Sequence, residues 1–510
     1  FVAMKFLKIV FLICIVQISN AQEHVVQPTA NRYRISWETL AMSTEPDLGF
    51  VGVGFDLFNF VNTSSTAYVG INSYSAMSGM RPGLITLGMS AGWCPQLFDS
   101  DFYLDLGAFV GGGGGGGADD GGGLILRPHI VLEKKIGDVG LRFGFSRIDF
   151  PSGAITGNQF NVGVSLSGTN YFKKMKASEG FKQLKNPKTN KLRVAMVGTQ
   201  YFNLQEGSVI YSDVSKVGLL GAQIERSITN YSYGILKLNG ALAGGTDGYM
   251  SILIGGGFSY PVIHKHLKLE SRVLFGPTGG GGIESGGGAT AQVEAGISIP
   301  LPNNFDLKFM GGKTFAPWGN LSTSHFEVSI GKSFERLFPK KNTKATTTFS
   351  VPQEDYFVNH MAFTTYNRTY LPPNRRRKDG DYYLSSFQSL GFEIQKYIGE
   401  RFTINGGTVW AYQGDYGAYA EGLIGATYFQ PIAAKTNLTF RAMVGAAGGG
   451  AIDLGSGLLF EYSVGIARKL NPKWDLFLDF GKTQPLEGNF TPFSIDVGVK
   501  VHINQLVKKS

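Results

Sequence analysis

Residues 109–124 read FVGGGGGGGADDGGGL, in which two apolar residues precede seven glycines, a short acidic step and three more glycines. Two later stretches share this arrangement, LFGPTGGGGIESGGGA at 274–289 and MVGAAGGGAIDLGSGL at 443–458. The acid and the closing G-x-G keep the same register in all three, although Ala451 replaces one glycine of the third copy. A spacer does not need a fixed register, so the stretch predicts a structured hairpin within a threefold internal repeat.

Matching glycines and one acid in each copy form the candidate site. The glycines are Gly111, Gly114 and Gly121 in the first copy, Gly276, Gly279 and Gly286 in the second, and Gly445, Gly448 and Gly455 in the third. The acids are Asp119, Glu284 and Asp453. Glycine permits positive φ and the close approach of another backbone. Two interpretations remain open: three independent structural hairpins, or three hairpins that converge into one packed seam between units or against another protein.

A basic residue follows each hairpin and precedes a proline: Arg147, Lys313 and Lys482. These residues are expected at the end of the seventh strand of each unit, beside the sixth strand. The acids and bases of each copy are therefore predicted to pair, Asp119 with Arg147, Glu284 with Lys313, and Asp453 with Lys482. An exposed ion pair contributes only about 0–1 kcal/mol, so such pairs would mark the geometry of the hairpin without holding the fold.

The sequence between the hairpins predicts β-strands. Glycine makes up 71 of the 510 residues, which disfavours long helices. Alternation is clear in LKLESRVLF, where Leu267, Leu269, Val273 and Phe275 share one face. We therefore predict an all-β fold with antiparallel transmembrane β-barrel architecture, built as three tandem units of about eight strands. The alternative is one wide barrel of about 24 strands, which would need a plug or a partner to avoid leaking.

The beginning of the sequence is typical of an exported protein. FVAMKFLKIVFLICIVQISNAQ combines lysines, an apolar run and small residues, so residues 1–21 are predicted to be a signal peptide cleaved after Ala21. The predicted boundaries are 22–170 for β unit 1, 171–191 for a basic linker, 192–334 for unit 2, 335–360 for a second linker, and 361–510 for unit 3. An exported chain of this composition without apolar helical spans is expected in the bacterial outer membrane.

The residues of catalytic and metal sites are not assembled in the sequence. No Ser-His-acid constellation is evident, so the chain is predicted not to be an enzyme, and no cofactor or metal is expected. His264 and His266 form the one histidine cluster, without a carboxylate or cysteine beside it. The glycine-acid alternation is similar to calcium-binding nonapeptide repeats, but each hairpin offers too few carboxylates for calcium. The glycine stretches run into β-type sequence, which excludes a phosphate-binding loop before a helix.

The charge of the chain suggests its partners. The formal net charge is +9, and much of it lies in the predicted linkers. Four adjacent cations, Arg375, Arg376, Arg377 and Lys378, are predicted to lie in an outward loop of unit 3, either solvated or in contact with lipopolysaccharide phosphates. Expected partners are outer-membrane lipid and lipopolysaccharide, together with other outer-membrane or periplasmic proteins. No nucleic-acid partner is expected.

The leader ending in NAQ and the aromatic, glycine-rich strands look like those of outer-membrane proteins of Bacteroidota-type bacteria. The hairpin FVGGGGGGGADDGGGLILRPH resembles a group of largely uncharacterised outer-membrane β-barrel proteins with repeated glycine-rich hairpins. The resemblance covers all three units and implies a location but no reaction.

The sequence is compatible with three functions. The first is a non-catalytic outer-membrane subunit that scaffolds or docks within a larger envelope or export assembly, which the repetition and the basic linkers favour. A channel or transporter is the second and would require one wide barrel. A lipid-modifying barrel enzyme is the third and would require a polar triad near the membrane rim.

Overall fold

The computed structural model describes residues 23–509 apart from 43–44, 59–65, 99, 175–188, 211–213, 264–265, 338–347, 374 and 384. The predicted signal peptide, most of the first linker, His264 and part of the second linker lie outside the described residues. The described chain forms 25 strands and one 3-10 turn at Pro302–Asn304. Across these residues we find no helix with the length and apolarity needed to span a membrane.

The strands fall into three successive sets. The first is β1 (Glu23–Leu40), β2 (Leu48–Phe58), β3 (Ala67–Ser78), β4 (Ile85–Trp93), β5 (Phe102–Gly114), β6 (Ile125–Ile136), β7 (Val139–Asp149) and β8 (Thr156–Lys173). The second is β9 (Thr189–Phe202), β10 (Lys216–Ser227), β11 (Ser232–Ala243), β12 (Met250–Ile263), β13 (Leu267–Gly279), β14 (Ala289–Pro300), β15 (Phe305–Phe315) and β16 (Ser322–Leu337). After the short β17 (Phe349–Pro352), the third is β18 (Tyr356–Leu371), β19 (Phe387–Ile398), β20 (Phe402–Gln413), β21 (Ala420–Ala433), β22 (Thr436–Gly448), β23 (Leu458–Lys469), β24 (Trp474–Pro485) and β25 (Phe493–Lys508).

Each set closes on itself into an antiparallel barrel. In the first, β1 pairs with β8 from Val26↔Lys173 to Glu38↔Asn161. In the second, β9 pairs with β16 along their length, and in the third β18 pairs with β25. The predicted all-β fold of three tandem eight-stranded units is confirmed. The described strands do not form the alternative single wide barrel, because the first strand of each unit pairs with the last strand of the same unit.

The faces of the strands follow the alternation of the sequence. On β13, Leu269, Val273 and Phe275 are exposed, whereas Glu270 and Arg272 between them are buried in the barrel. Apolar side chains outside and polar side chains inside are the inverse of a soluble sandwich and the pattern of a transmembrane barrel. Eight strands leave an interior that side chains just fill.

Ion pairs cross each barrel interior, which we call the lumen. In the first lumen, the Arg32 guanidinium lies 2.9 Å from Asp56, 2.8 Å from Asp105 and 2.9 Å from Glu133. The buried charges on the strands of this lumen are Arg32, Arg34, Arg127, Arg142, Glu38, Asp56, Asp105 and Glu133. Those of the second lumen are Arg193, Lys237, Arg272, Lys308, Glu225, Glu270, Glu294 and Glu327. Each barrel therefore contains a polar network beside a buried apolar cluster.

The three barrels meet at the end where the chain enters and leaves each one. There β17 pairs with the start of β1, from Glu23↔Pro352 to Val26↔Phe349. An apolar cluster joins the strand ends of all three barrels: Val26, Tyr171, Leu337, Val351, Tyr356 and Leu506. The predicted second linker thus contributes a strand and an apolar contact to this junction.

Candidate functional site

The glycine hairpins lie at the other end of the barrels, which we call the glycine end. We define the glycine loops as residues 115–124, 280–288 and 449–457, which connect the fifth and sixth strands of each barrel. We define the acceptor loops as residues 79–84, 244–249 and 414–419, which connect the third and fourth strands. Each glycine loop packs on the acceptor loop of a different barrel: the first on the third barrel, the second on the first, and the third on the second.

One backbone contact recurs in all three interfaces. A Cβ built on Gly123 would lie 2.6 Å from the Ala411 carbonyl oxygen of the third barrel. A Cβ on Gly288 would lie 2.6 Å from that of Ala76, and one on Gly457 would lie 3.1 Å from that of Ala241. The three alanines are equivalent, because each donates its N–H across its own acceptor loop, to Leu84, Tyr249 or Tyr419. A head-to-tail contact repeated three times closes into a ring, so the interface has pseudo-threefold symmetry.

The predicted glycines Gly114, Gly279 and Gly448 form a second recurring contact. A Cβ on Gly114 would lie 2.8 Å from the Ala418 backbone nitrogen, in the third barrel. A Cβ on Gly279 would strike the backbone of Gly83, and one on Gly448 that of Gly248, each in another barrel. Real Cβ atoms do not tolerate such contacts with backbone, so side chains are excluded at these positions because another chain segment occupies the space.

The other predicted glycines serve their own barrels. Gly111, Gly276 and Gly445 lie against the neighbouring strand of the same barrel, where a Cβ would meet the carbonyls of Leu87, Ile252 and Gly422. Gly121, Gly286 and Gly455 have φ of +57°, +62° and +62°, and each touches the last glycine-end loop of its own barrel. Of the three sets of glycines predicted from the sequence, only Gly114, Gly279 and Gly448 would therefore place a Cβ against another barrel.

The predicted pairs of acids and bases are not formed. Arg147 lies 3.7 Å from Asp149 and donates to Thr156, and the Lys482 ammonium donates to the Thr491 carbonyl. Lys313 is exposed on β15, and no salt bridge among the described residues joins it to Glu284. The physical reason is that the bases project outward from the strand ends, whereas the Glu284 and Asp453 carboxylates turn back onto their own loops and Asp119 is exposed.

Two of the three acids stabilise the turn of their glycine loop. The Glu284 carboxylate accepts the N–H of Gly286 at 3.0 Å, and the Asp453 carboxylate accepts that of Gly455 at 3.3 Å. Such local bonds are typical of acidic residues in turns. Asp119 is exposed, and its backbone carbonyl accepts the N–H of Ala154.

The predicted cationic cluster takes part in contacts within the protein. Arg376 stacks on Tyr382, and Arg377 pairs with Asp379 at 3.2 Å and donates to the Gly450 carbonyl. The Lys378 ammonium pairs with Asp247, in the acceptor loop of the second barrel. Arg375 is exposed and its N–H donates to the Pro373 carbonyl. Lys378 thus links the third barrel to the second beside the glycine contacts, and contact with lipopolysaccharide stays a prediction.

The acceptor loops and the buried Asp120 were not predicted from the sequence. The signal for the loops was present, because DGYMSILIGGGFSY at 247–260 is similar to DYGAYAEGLIGATYF at 415–429. Asp120 lies in the first glycine loop, is 7% exposed, and accepts the N–H of Gly115 at 2.7 Å. A Cβ on Gly417 of the third barrel would meet its other oxygen. It is therefore a carboxylate buried at the contact between the first and third barrels.

The contact at Asp120 is expected to depend on pH. Burial raises the pKa of its carboxyl from the usual 3.8 to about 6, and the adjacent Asp119 carboxylate adds to this, while the Gly115 N–H opposes it. An acid with a raised folded-state pKa contributes stability that is present below its unfolded pKa and lost as pH rises through the folded value. The protection of the amides of loop 414–419, measured as exchange relative to the intrinsic rate at each pH, should therefore fall between about pH 4 and pH 7. Asp120→Asn should flatten this profile, and an unchanged profile would contradict the assignment.

One group of side chains in the first lumen has metal-ligand types. Cys94, Asp105 and Glu133 place their ligand atoms within 4.8 Å of one another, and all three are buried. Arg142 already bonds both carboxylates, and Arg32 bonds the carboxylates and approaches the Cys94 sulfur at 3.5 Å. Guanidinium groups thus occupy the position that a metal would take.

Comparisons with known proteins add little about function. No protein-family model matches the chain, and no curated protein matches it. Among solved structures, OpdQ from Pseudomonas aeruginosa aligns with 94% of this chain and 98% of its own, at 9% identity and a TM-score of 0.20. The siderophore receptor PirA from Acinetobacter baumannii aligns with 93% and 80%, at 8% identity and a TM-score of 0.26. OccK11 (OpdR) from Pseudomonas aeruginosa aligns with 95% and 99%, at 10% identity and a TM-score of 0.22. At these scores the similarities carry no argument about what the chain does.

Proposed function

We propose that the chain is a non-catalytic outer-membrane protein in which three barrels form one rigid platform, a scaffold or docking subunit of a larger envelope or export assembly. The observation that carries this proposal is the ring of glycine contacts. A ring fixes the positions of three barrels relative to one another, which a pore within a single barrel does not require.

The exposed surface supports a location in a membrane. On β7, Phe143 is 50% and Phe145 is 67% exposed, and Ile130 on the neighbouring β6 is 58% exposed. Apolar side chains on the outer face of a closed barrel fit the hydrocarbon of a bilayer. At the end where the chain enters and leaves each barrel, the turn between β6 and β7 is only residues 137–138. Loop 372–386 at the glycine end is long. Outer-membrane barrels have short periplasmic turns, which favours the glycine end as the extracellular one.

The lumens favour a platform over a channel. In the second barrel, Lys237 lies 2.9 Å from Glu294, and Arg272 bonds both Glu294 and Glu327. All four side chains are buried at the centre of the lumen. A conducting path through this barrel would have to break these ion pairs, and breaking a buried pair costs about 3–5 kcal/mol.

Two measurements on the native protein test the proposal. Affinity purification from solubilised envelopes is expected to recover outer-membrane or periplasmic proteins in stoichiometric amounts. Planar bilayers that contain the purified chain alone are expected to show no porin-like conductance, because the lumens are filled. Conductance from the lone chain, together with purification free of partners, would overturn the platform and support the channel or transporter instead.

A further inference from the structure

Two lysines from different barrels converge on one aromatic ring near the chain junction. Phe334 lies on β16 of the second barrel, and its ring centre is 4.4 Å from the ammonium of Lys396, on β19 of the third barrel. The Lys332 ammonium, also on β16, lies 6.0 Å from the same ring centre and 4.7 Å from that of Phe305. We call the space that Lys332, Phe334 and Lys396 border the lysine cleft; it lies between the second and third barrels.

The positive charge of the lysine cleft is not neutralised within the described chain. No carboxylate of the described residues lies within salt-bridge distance of either ammonium. Because both ammonium groups lie close to one ring centre, they are also near each other, and like charges repel at such separations. An anion bound between the two ammonium groups would remove this repulsion.

The barrel fold does not require a lysine at position 332. The last strands of the first and second barrels share a pattern, FNVGVSL at 160–166 and FEVSIGK at 326–332, which aligns Leu166 with Lys332. Leu166 is exposed on the outer face of β8, as is typical of a lipid-facing position. A charge on the lipid-facing side of a barrel is tolerated only near the membrane surface, so the cleft belongs at that level.

Both lysines do lie at the level of the turns at the chain junction. Lys332 is directly opposite Phe305, the first residue of β15, and Lys396 is two residues from the end of β19. Ile330 and Ile394, two residues farther toward the glycine end on the same strand faces, are exposed. The cleft therefore has two cations at the level of lipid headgroups and apolar side chains deeper in the bilayer.

We infer that the lysine cleft binds the phosphate of a phospholipid whose acyl chains lie along the outer faces of β16 and β19. Ammonium groups form charge-assisted hydrogen bonds to phosphate oxygens, and basic pockets between transmembrane helices bind anionic headgroups in the same way. Free phosphate would use the lysines but not the apolar side chains beside them. The inference rests on the proposed membrane location, with the glycine end extracellular and the cleft in the periplasmic leaflet, and not on the docking role.

Native mass spectrometry of the whole delipidated chain in a nonionic detergent, titrated with phosphatidylglycerol, tests the site. One high-affinity lipid per chain is expected, and diacylglycerol, which lacks the phosphate, should not compete for it. Lys332→Leu combined with Lys396→Leu should weaken binding by about tenfold or more, because charge-assisted hydrogen bonds are lost. Lys332→Arg combined with Lys396→Arg keeps both charges and should retain the lipid.

Lys134→Leu is the matched control. The Lys134 ammonium also lies over an aromatic ring at the chain junction, 4.3 Å from the ring centre of Phe102, but it is paired with Asp101 at 3.6 Å. This variant should bind phosphatidylglycerol like the wild type. Should the double leucine variant fail to fold, Lys396→Leu alone decides the question.

Four results would overturn the inference. The first is the lack of a high-affinity lipid on the wild-type chain, and the second is equal binding by the wild type and the leucine variant. Displacement of the lipid by inorganic phosphate at equal concentration would instead show a site for free phosphate. Loss of a co-purifying protein from the leucine variant, with lipid binding unchanged, would make the lysines a protein contact. A chain that binds no lipid but recovers its partners leaves the proposed platform intact, so the two proposals fail separately.

Discussion

Leucine in place of Gly112 is expected to expose acceptor loop 414–419 of the third barrel and to leave the other two acceptor loops protected. A Cβ on Gly112 would lie 2.7 Å from the Ala411 carbonyl oxygen, so a larger side chain must push the two barrels apart there. Overpacking typically costs about 1–3 kcal/mol, which corresponds to amide exchange about tenfold faster or more in that loop. Hydrogen–deuterium exchange resolved by peptide measures this directly.

The cyclic order makes the prediction specific. Gly448→Leu should accelerate exchange in loop 244–249 of the second barrel instead, because Gly448 packs on Gly248. Gly422→Leu is the matched control, since a Cβ on that strand glycine would meet nothing within 4 Å. Equal protection of all acceptor loops in the Gly112 variant would mean that the barrels do not touch through their hairpins.

Arg32→Met is expected to destabilise the first barrel by about 3–5 kcal/mol, the cost of breaking buried ion pairs by removing one partner. The Arg32 side chain is 2% exposed and bonds Asp56, Asp105 and Glu133. Without Arg32, the Asp56 carboxylate keeps only its ion pair with Arg34. Asp105 and Glu133 then share the single guanidinium of Arg142. Trp37 and Trp93 lie on strands of this barrel, so in a background with Trp318, Trp410 and Trp474 replaced by phenylalanine their fluorescence reports its unfolding in urea.

The control for this variant is Arg147→Met. Arg147 is exposed at 3.7 Å from Asp149, and such pairs contribute about 0–1 kcal/mol. A loss of stability in Arg32→Met no larger than that of Arg147→Met would show that the lumen networks do not hold the barrel.

The strands could be predicted from the sequence, whereas their closure required the structure. Alternate side chains of a strand point to the same face, so Leu269, Val273 and Phe275 share a face whichever barrel contains them. This property depends only on neighbouring residues in the sequence. Whether β9 pairs with β16 or with a strand of another unit depends on partners far along the chain. Barrels of eight and of 24 strands share the same local pattern, so only the pairing distinguishes them.

The glycines of the candidate site could be predicted from the sequence, but the residues they contact in other barrels could not. The register of the hairpins identified Gly114, Gly279 and Gly448, since fixed spacing indicates a geometric requirement. Their partners lie in other barrels and include Ala418, whose φ is +70°, so no glycine pattern marks that position. The predicted pairing of Asp119 with Arg147 was wrong because strand order alone does not determine the direction in which a side chain projects.

Cross-linking between the second and third barrels tests the central claim, that the glycine end joins three closed barrels into one ring. Asp247 and Lys378 are in direct contact there, and Cys94, the one described cysteine, is buried. In a chain with Asp247→Cys and Lys378→Cys and a protease site placed within residues 338–347, a short bismaleimide cross-linker that replaces the length of the two original side chains, followed by cleavage, should leave the second and third barrels covalently linked. Separation of the two fragments after cross-linking would contradict the ring.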